Sequence, residues 1–185
     1  MDYIDAHGAF PVDAHFRKAT VAEWLEVGSH NDEEACDAAV RWYDWFQAAR
    51  ATREFAGDGL VLIGPPGTGK TYLACALLND MHATGRATTA FVTDQIMEPI
   101  LRRRAYDEEA DSIWDVLTRI TCVVWDDVFR FGINEQAVEG FIRTRSGRGV
   151  PTIITVNNDM GIGPMLRSFL STFHWAVFQG KDLRT

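Results

Sequence analysis

The chain has 185 residues, 46% of them hydrophobic, and a formal net charge of −8. That length and apolar content suit one α/β domain, leave little room for two, and exclude wholesale disorder. The acidic balance excludes a protein that coats nucleic acid over its whole surface, so any such contact has to come from a local basic patch.

Met1 to Phe16 carries Asp2, Asp5 and Asp13 around no apolar core, which is not the pattern of a secretory leader. No apolar run approaches the roughly 18–20 residues that span a bilayer, so no membrane partner is expected. Cys36, Cys75 and Cys122 are odd in number and far apart, with no Cys-x-x-Cys pair. That spacing argues against zinc and disulfides, and for a reduced, cytoplasmic setting. Residues 1–28 show no clear period and read as an N-terminal arm, a candidate docking segment, ahead of a core over 29–185. Ser29 with Asp32, or Asn31 with Glu34, suits the cap of a helix running to about Phe55. Its Ala35, Ala39, Trp42, Phe46 and Ala49 fall at helical spacing. Trp42 and neighbouring Trp45 therefore read as packing residues in preference to a base-stacking platform.

The most informative stretch follows. Leu60-Val61-Leu62-Ile63 reads as a buried strand, and behind it stands Gly64-Pro65-Pro66-Gly67-Thr68-Gly69-Lys70-Thr71, followed by a helix from Tyr72. A strand, a loop of the form G-x-x-x-x-G-K-[ST] and a helix make a phosphate-binding loop. Gly67 and Gly69 let the backbone curl so that N–H groups face phosphate oxygens, with the helix N-terminus behind them. Lys70 is placed to reach the β- and γ-phosphates, and the Thr71 hydroxyl to hold Mg²⁺. The pattern predicts a nucleoside triphosphate site made by residues 64–72, Tyr72 included.

A second strand is expected over Thr88–Thr93, then a helical region from Asp94 to Thr118, interrupted near Pro99. Within it Arg102-Arg103-Arg104 is the one run of three basic residues, and Asp107, Glu108, Glu109 and Asp111 follow at once. A solvated or internally paired face is the first reading, and a DNA contact the second. The third strand, Thr121–Trp125, stops on Asp126-Asp127, which puts carboxylates at the strand end where open α/β sheets bind ligands. With the phosphate loop upstream this fits a Walker B pattern. Asp126 is the candidate Mg²⁺ ligand and Asp127 the candidate that orients the attacking water. After a helix near Glu135–Arg145, the fourth strand, Pro151–Val156, ends on Asn157-Asn158. An amide there serves either the γ-phosphate and lytic water or a turn. A short helical stretch near Met165–Phe173, a last strand over His174–Phe178 and a tail from Gln179 to Thr185 complete the chain.

Together GPPGTGKTYLACALL, CVVWDD and PTIITVNN resemble the AAA+ ATPases of the DnaC/IstB helicase-loader group, from roughly residue 35 to the C-terminus. The resemblance implies a P-loop NTPase core: a five-stranded parallel sheet ordered 5-1-4-3-2, helices on both faces, and no large helical lid. It implies ATP and Mg²⁺ as cofactors, and Asn157 as the sensor residue of the fourth strand. It also implies Arg167 as the arginine reaching a neighbouring subunit's nucleotide, and Arg184 as the nucleotide-sensing arginine of the tail. Leu183 and Asp182 depart from the Tyr and Ser of that family's closing pattern, and Asp127 stands where many AAA+ proteins have Glu. The function implied is an ATPase, weak alone and stimulated by assembly, that loads a replicative DnaB-type helicase on single-stranded DNA. An IstB-like transposition ATPase and a non-hydrolysing ATP-dependent binding module are the alternatives.

Overall fold

A computed structural model describes residues 16–28, 32–52, 58–85, 87–157 and 162–183, without the side chains of residues 27, 28 and 50. Strands β1 (Leu60–Gly64), β2 (Thr89–Thr93), β3 (Cys122–Asp126), β4 (Thr152–Asn157) and β5 (His174–Val177) form one sheet, ordered β2-β3-β4-β1-β5. All of its pairings are parallel. The order agrees with the one the resemblance implies, and among the described residues no helical bundle follows β5.

The strands are apolar on both sides because both faces of the sheet are covered. Leu60, Leu62, Val124 and Ile153 pack on one face, beneath α1 (Val21–Gly28), α2 (Glu33–Thr52) and α3 (Lys70–Ala83). Val61, Ile63, Val123, Trp125 and Ile154 pack on the other. That face lies beneath α4 (Asp94–Arg103), α5 (Glu108–Arg119), α6 (Glu135–Gly147) and α7 (Pro164–Phe169), the last continued by a 3₁₀ turn at Leu170–Thr172. The alternation along β1 is thus a division between two cores.

The N-terminal edge of the sheet is held by a buried cation. The Arg145 guanidinium, fully enclosed, donates to Thr152 Oγ1 at 2.9 Å, to Pro151 O at 2.6 Å, to Ile120 O at 3.1 Å and to Leu117 O. Burial pulls its pKa down to about 10, which leaves it charged at neutral pH. It ties α5, α6 and β4 together at the end of the sheet opposite the loops described next.

Two expectations change. Part of the segment read as an arm is α1, started by a reciprocal Thr20–Glu23 cap, with Glu23 N to Thr20 Oγ1 at 3.1 Å and Thr20 N to Glu23 Oε2 at 3.3 Å. Its Trp24 is buried against α3, so this stretch is part of the packed core. Pro99 lies inside α4 and does not interrupt it. Burial of Met97 and Ile100 sustains the helix through the missing N–H. The break comes at residues 104–107, where the Asp107 side chain caps α5 by accepting from Glu109 N at 3.0 Å and Ala110 N at 3.2 Å. The short helical stretch expected near Met165–Phe173 is α7 followed by its 3₁₀ turn. Trp42 is fully buried and stacks on Phe46 at 5.6 Å between ring centroids, in keeping with a packing role. Residues 1–15, Ser29, Asn31, Phe55, Asn158 and Arg184 lie outside the described residues.

Candidate active site

Strands β3, β4 and β1 are neighbours, so their C-terminal ends bring three loops together at one edge. The β1 loop turns through left-handed glycines at Gly67 (φ 80°) and Gly69 (φ 90°). A side chain at either would be strained by the left-handed backbone and by close neighbours. A Cβ on Gly67 would sit 2.1 Å from Asp182 Oδ1, and one on Gly69 would sit 2.4 Å from the Trp24 ring. Thr68 Oγ1 braces the turn by donating to Pro65 O at 2.9 Å. Lys70, the first residue of α3, is buried, and its Nζ donates to Gly64 O at 2.9 Å and Pro65 O at 2.7 Å.

The carboxylates lie beside this loop. Thr71 Oγ1 donates to Asp126 Oδ1 at 2.8 Å, and Thr155 Oγ1, from the middle of β4, donates to the same oxygen at 2.7 Å. Burial pushes the Asp126 carboxyl up from its ordinary range. The two hydroxyl bonds pull it back, and the adjacent Asp127 charge raises it again. Asp127 sits in the left-handed region at φ 53°, fixed by its N–H on Thr155 Oγ1 at 2.8 Å. Its Oδ1 accepts from Asn157 Nδ2 at 2.7 Å and its Oδ2 from Arg130 Nη1 at 2.6 Å.

A cleft of about 1080 Å³ opens over these groups, lined by Pro66, Gly67, Gly69, Lys70, Thr71 and Tyr72 on one side and by residues 127–130 with Asn157 on the other. Phe16, Glu23, Trp24 and Leu183 complete its wall. Tyr72 lies 6.0 Å from Trp24 and 6.2 Å from Phe16 between ring centroids, and its hydroxyl donates to Glu23 Oε2 at 3.2 Å. The tail crosses the phosphate loop. Leu183 N donates to Gly67 O at 2.9 Å, and Asp32 Oδ2 accepts from Gly180 N at 2.6 Å and from Gln179 N.

The structure thus brings together Gly64, Pro65, Pro66, Gly67, Thr68, Gly69, Lys70, Thr71, Tyr72, Asp126, Asp127 and Asn157. It leaves Arg167 exposed on α7, its guanidinium 5.9 Å from the Trp175 ring and not among the residues lining the cleft. The basic run is also elsewhere: Arg102 pairs with Glu98 and Arg103 with Asp107, both at 3.6 Å, and Arg104 lies 3.9 Å over the Trp114 ring. Thr155, Arg130 and Trp24 were not singled out by sequence. Thr155 shares a strand face with Asn157, a period-two signal that was there to read. Arg130 offered none, because its approach depends on the left-handed turn at Asp127.

Hard oxygen donors stand side by side at Thr71 and Asp126, which fits Mg²⁺. Among the described residues no cluster of three or more His, Cys, Asp or Glu is placed to hold a metal. No helix among the described residues is long and apolar enough to cross a membrane.

Comparison with solved structures finds the same fold in other proteins. It is similar to the crystal structure of DnaI, with a TM-score of 0.71 and 17% identity, over 92% of this chain and 96% of that one. It is similar to the crystal structure of the DnaC helicase loader, with a TM-score of 0.68 and 18% identity, over 90% of this chain and 99% of that one. It also matches the replication initiator DnaA bound to AMPPCP and single-stranded DNA, with a TM-score of 0.67 and 12% identity, over 89% of this chain and 50% of that one. No curated protein matches the chain in sequence. The family profile described as IstB-like ATP binding protein matches residues 48–161, more than half of the chain and the whole span from the phosphate loop to Asn157. The chain belongs to the family of IstB-like ATP binding proteins.

Proposed function

We propose that the chain is a Mg²⁺-dependent ATPase that loads a replicative helicase of the DnaB type on single-stranded DNA, with ATP setting its grip and hydrolysis releasing it. The observation that carries the catalytic part is the meeting of Lys70, Thr71, Asp127 and Asn157 in one cleft at three adjacent strand ends, with Asp126 bonded to Thr71. Thr71 and Asp126 would hold the metal, which would supply positive charge to offset that of the phosphates. Lys70 leaves the loop carbonyls for the β- and γ-phosphates. Asp127 accepts a hydrogen bond from the attacking water, and Asn157 steadies that water or the γ-phosphate. The new bond joins water oxygen to the γ-phosphorus, and the bond to the β-phosphate oxygen breaks with its electron pair left on ADP. The water proton passes to Asp127 and on to the released phosphate.

Hydrolysis by the dilute chain is weak in this reading and rises on self-association and binding of single-stranded DNA. Arg167, exposed on α7, is the residue we assign to a neighbouring subunit's nucleotide, and Arg184 to nucleotide sensing. An arginine supplied to such a site is worth about 10³–10⁵ in rate. Arg102 and Arg103, exposed at the end of α4, are assigned with Arg104 to DNA phosphates. The loader reading is supported by the likeness to DnaC over nearly the whole of both chains. The IstB-like family match favours a second reading, an ATPase that serves a transposase.

Pull-down with the host's replicative helicase, with and without ATP, separates these readings. ATP-dependent binding that is altered in Lys70→Ala supports the loader. Capture of a transposase in place of the helicase supports the second reading. Binding and release identical in wild type and Lys70→Ala would remove the ATP switch altogether.

A further inference from the structure

Arg130 and Lys70 are the two basic residues that line the cleft among the described residues. Lys70 belongs to the phosphate loop; Arg130 belongs to no motif. Its backbone is nonetheless closely held. Val128 N donates to Thr155 O at 3.0 Å, Arg130 N to Asp127 O at 3.1 Å, and Phe131 N to Asp94 Oδ2 at 3.2 Å. Asp94 is fully buried, and its other oxygen accepts from Trp125 Nε1 at 2.8 Å. Two non-glycine residues of the turn, Asp127 (φ 53°) and Phe129 (φ 74°), keep left-handed backbones, and these bonds hold them there. What remains free to move is the Arg130 side chain, 62% exposed and joined to Asp127 at 2.6 Å.

We propose that Arg130 is a catalytic residue that binds the γ-phosphate from within the same chain. On arrival of a triphosphate it exchanges its carboxylate partner, Asp127, for the terminal phosphoryl oxygens. This rests on the reading of the cleft as a triphosphate site. A guanidinium forks onto carboxylate and phosphate with the same planar geometry, so the exchange needs rotation of one exposed side chain and no backbone movement. The phosphate carries more charge than the carboxylate and is therefore the better partner for the guanidinium. The exchange also frees Oδ2 of Asp127 for the attacking water. Arg130 only donates hydrogen bonds: it keeps its protons while the water–phosphorus bond forms and ADP leaves with the electron pair. The contact is made to a γ-phosphate and not to ADP, so Arg130 separates the two nucleotides.

The test uses the full chain as wild type, Arg130→Ala and Arg130→Lys, with Mg²⁺ present. Affinities for ADP and for AMPPCP are measured by calorimetry, with phosphate release and thermal melting on the same samples. For Arg130→Ala we expect ADP affinity unchanged within about twofold and AMPPCP affinity lowered about tenfold or more, the scale of one charge-assisted hydrogen bond. Turnover should fall with melting unchanged, and Arg130→Lys should fall between the two. Equal loss of ADP and AMPPCP affinity would mark a structural role and overturn the proposal. So would unchanged AMPPCP affinity, which would leave an ordinary surface ion pair. Faster hydrolysis by Arg130→Ala would overturn it as well, since the arginine would then merely restrain Asp127. Wild type that binds neither nucleotide would remove the triphosphate site itself, and the wild-type control tells that failure apart from the others.

Discussion

The Thr155 hydroxyl donates to Asp126 Oδ1 at 2.7 Å. The Thr155 Oγ1 atom in turn accepts from Asp127 N at 2.8 Å, so one side chain of β4 fixes both acids at the end of β3. Replacing it with valine keeps the shape and removes both bonds. Thr155→Val should cost about 1–3 kcal/mol of stability by denaturant melting, the penalty for leaving buried polar groups unpaired. Phosphate release should fall by about tenfold or more in the same preparation, because Asp126 and Asp127 lose their common anchor. Thr155→Ser should recover most of both. Wild-type turnover in Thr155→Val would mean that the acids find their places without it.

Asp80 on α3 accepts from Val21 N at 3.3 Å and so fastens α1, the helix that walls the cleft. Burial raises its pKa, the bond from Val21 lowers it, and the nearby Glu23 charge raises it again. An acid with a raised pKa binds its proton more tightly in the folded chain than in the unfolded one. Its contribution to stability therefore falls as pH climbs through the window just above the ordinary carboxylate range, and stays low beyond it. Asp80→Asn keeps an acceptor for Val21 and removes the charge. It should melt above wild type at pH 7, and the gap should close as pH drops below about 4. A gap independent of pH would contradict the assignment.

Arg145 fills four carbonyl and hydroxyl acceptors in a closed site. Arg145→Leu strands these groups and should cost on the order of 3–5 kcal/mol in chemical denaturation. Arg145→Lys should regain only a fraction, because an ammonium cannot span the same acceptors. Because the site lies at the far end of the sheet, nucleotide affinity of the folded fraction should stay within about twofold.

The exposed ends of Arg102 and Arg103 test the DNA assignment. Arg102→Ala with Arg103→Ala should weaken single-stranded DNA binding and flatten its dependence on salt by ~0.7 per lost phosphate contact. An unchanged salt slope would return the two arginines to their ion pairs with Glu98 and Asp107.

Much of this architecture is legible in the residues alone. Leu60–Ile63, Cys122–Trp125 and Thr152–Val156 are short, apolar and rich in β-branched side chains because each strand is covered on both faces. Glycine and lysine spacing fixes the phosphate loop by local geometry. What escaped reading depends on contacts between distant segments. Trp24 gains meaning only against Gly69, where the missing side chain leaves room for its ring. Arg130 meets Asp127 only through a left-handed turn that two non-glycine residues do not announce. Pro99 misled for the opposite reason: a local preference was overridden by burial of Met97 and Ile100. The break itself is marked by Asp107, the N-cap that starts α5, which stands inside a charged run.

The most direct test of the account is calorimetric titration of the wild-type chain and Lys70→Ala with ATP, with and without Mg²⁺. Saturable binding that strengthens with Mg²⁺ and weakens about tenfold or more in Lys70→Ala is the predicted result. Equal affinity in the two chains, indifferent to the metal, would contradict it.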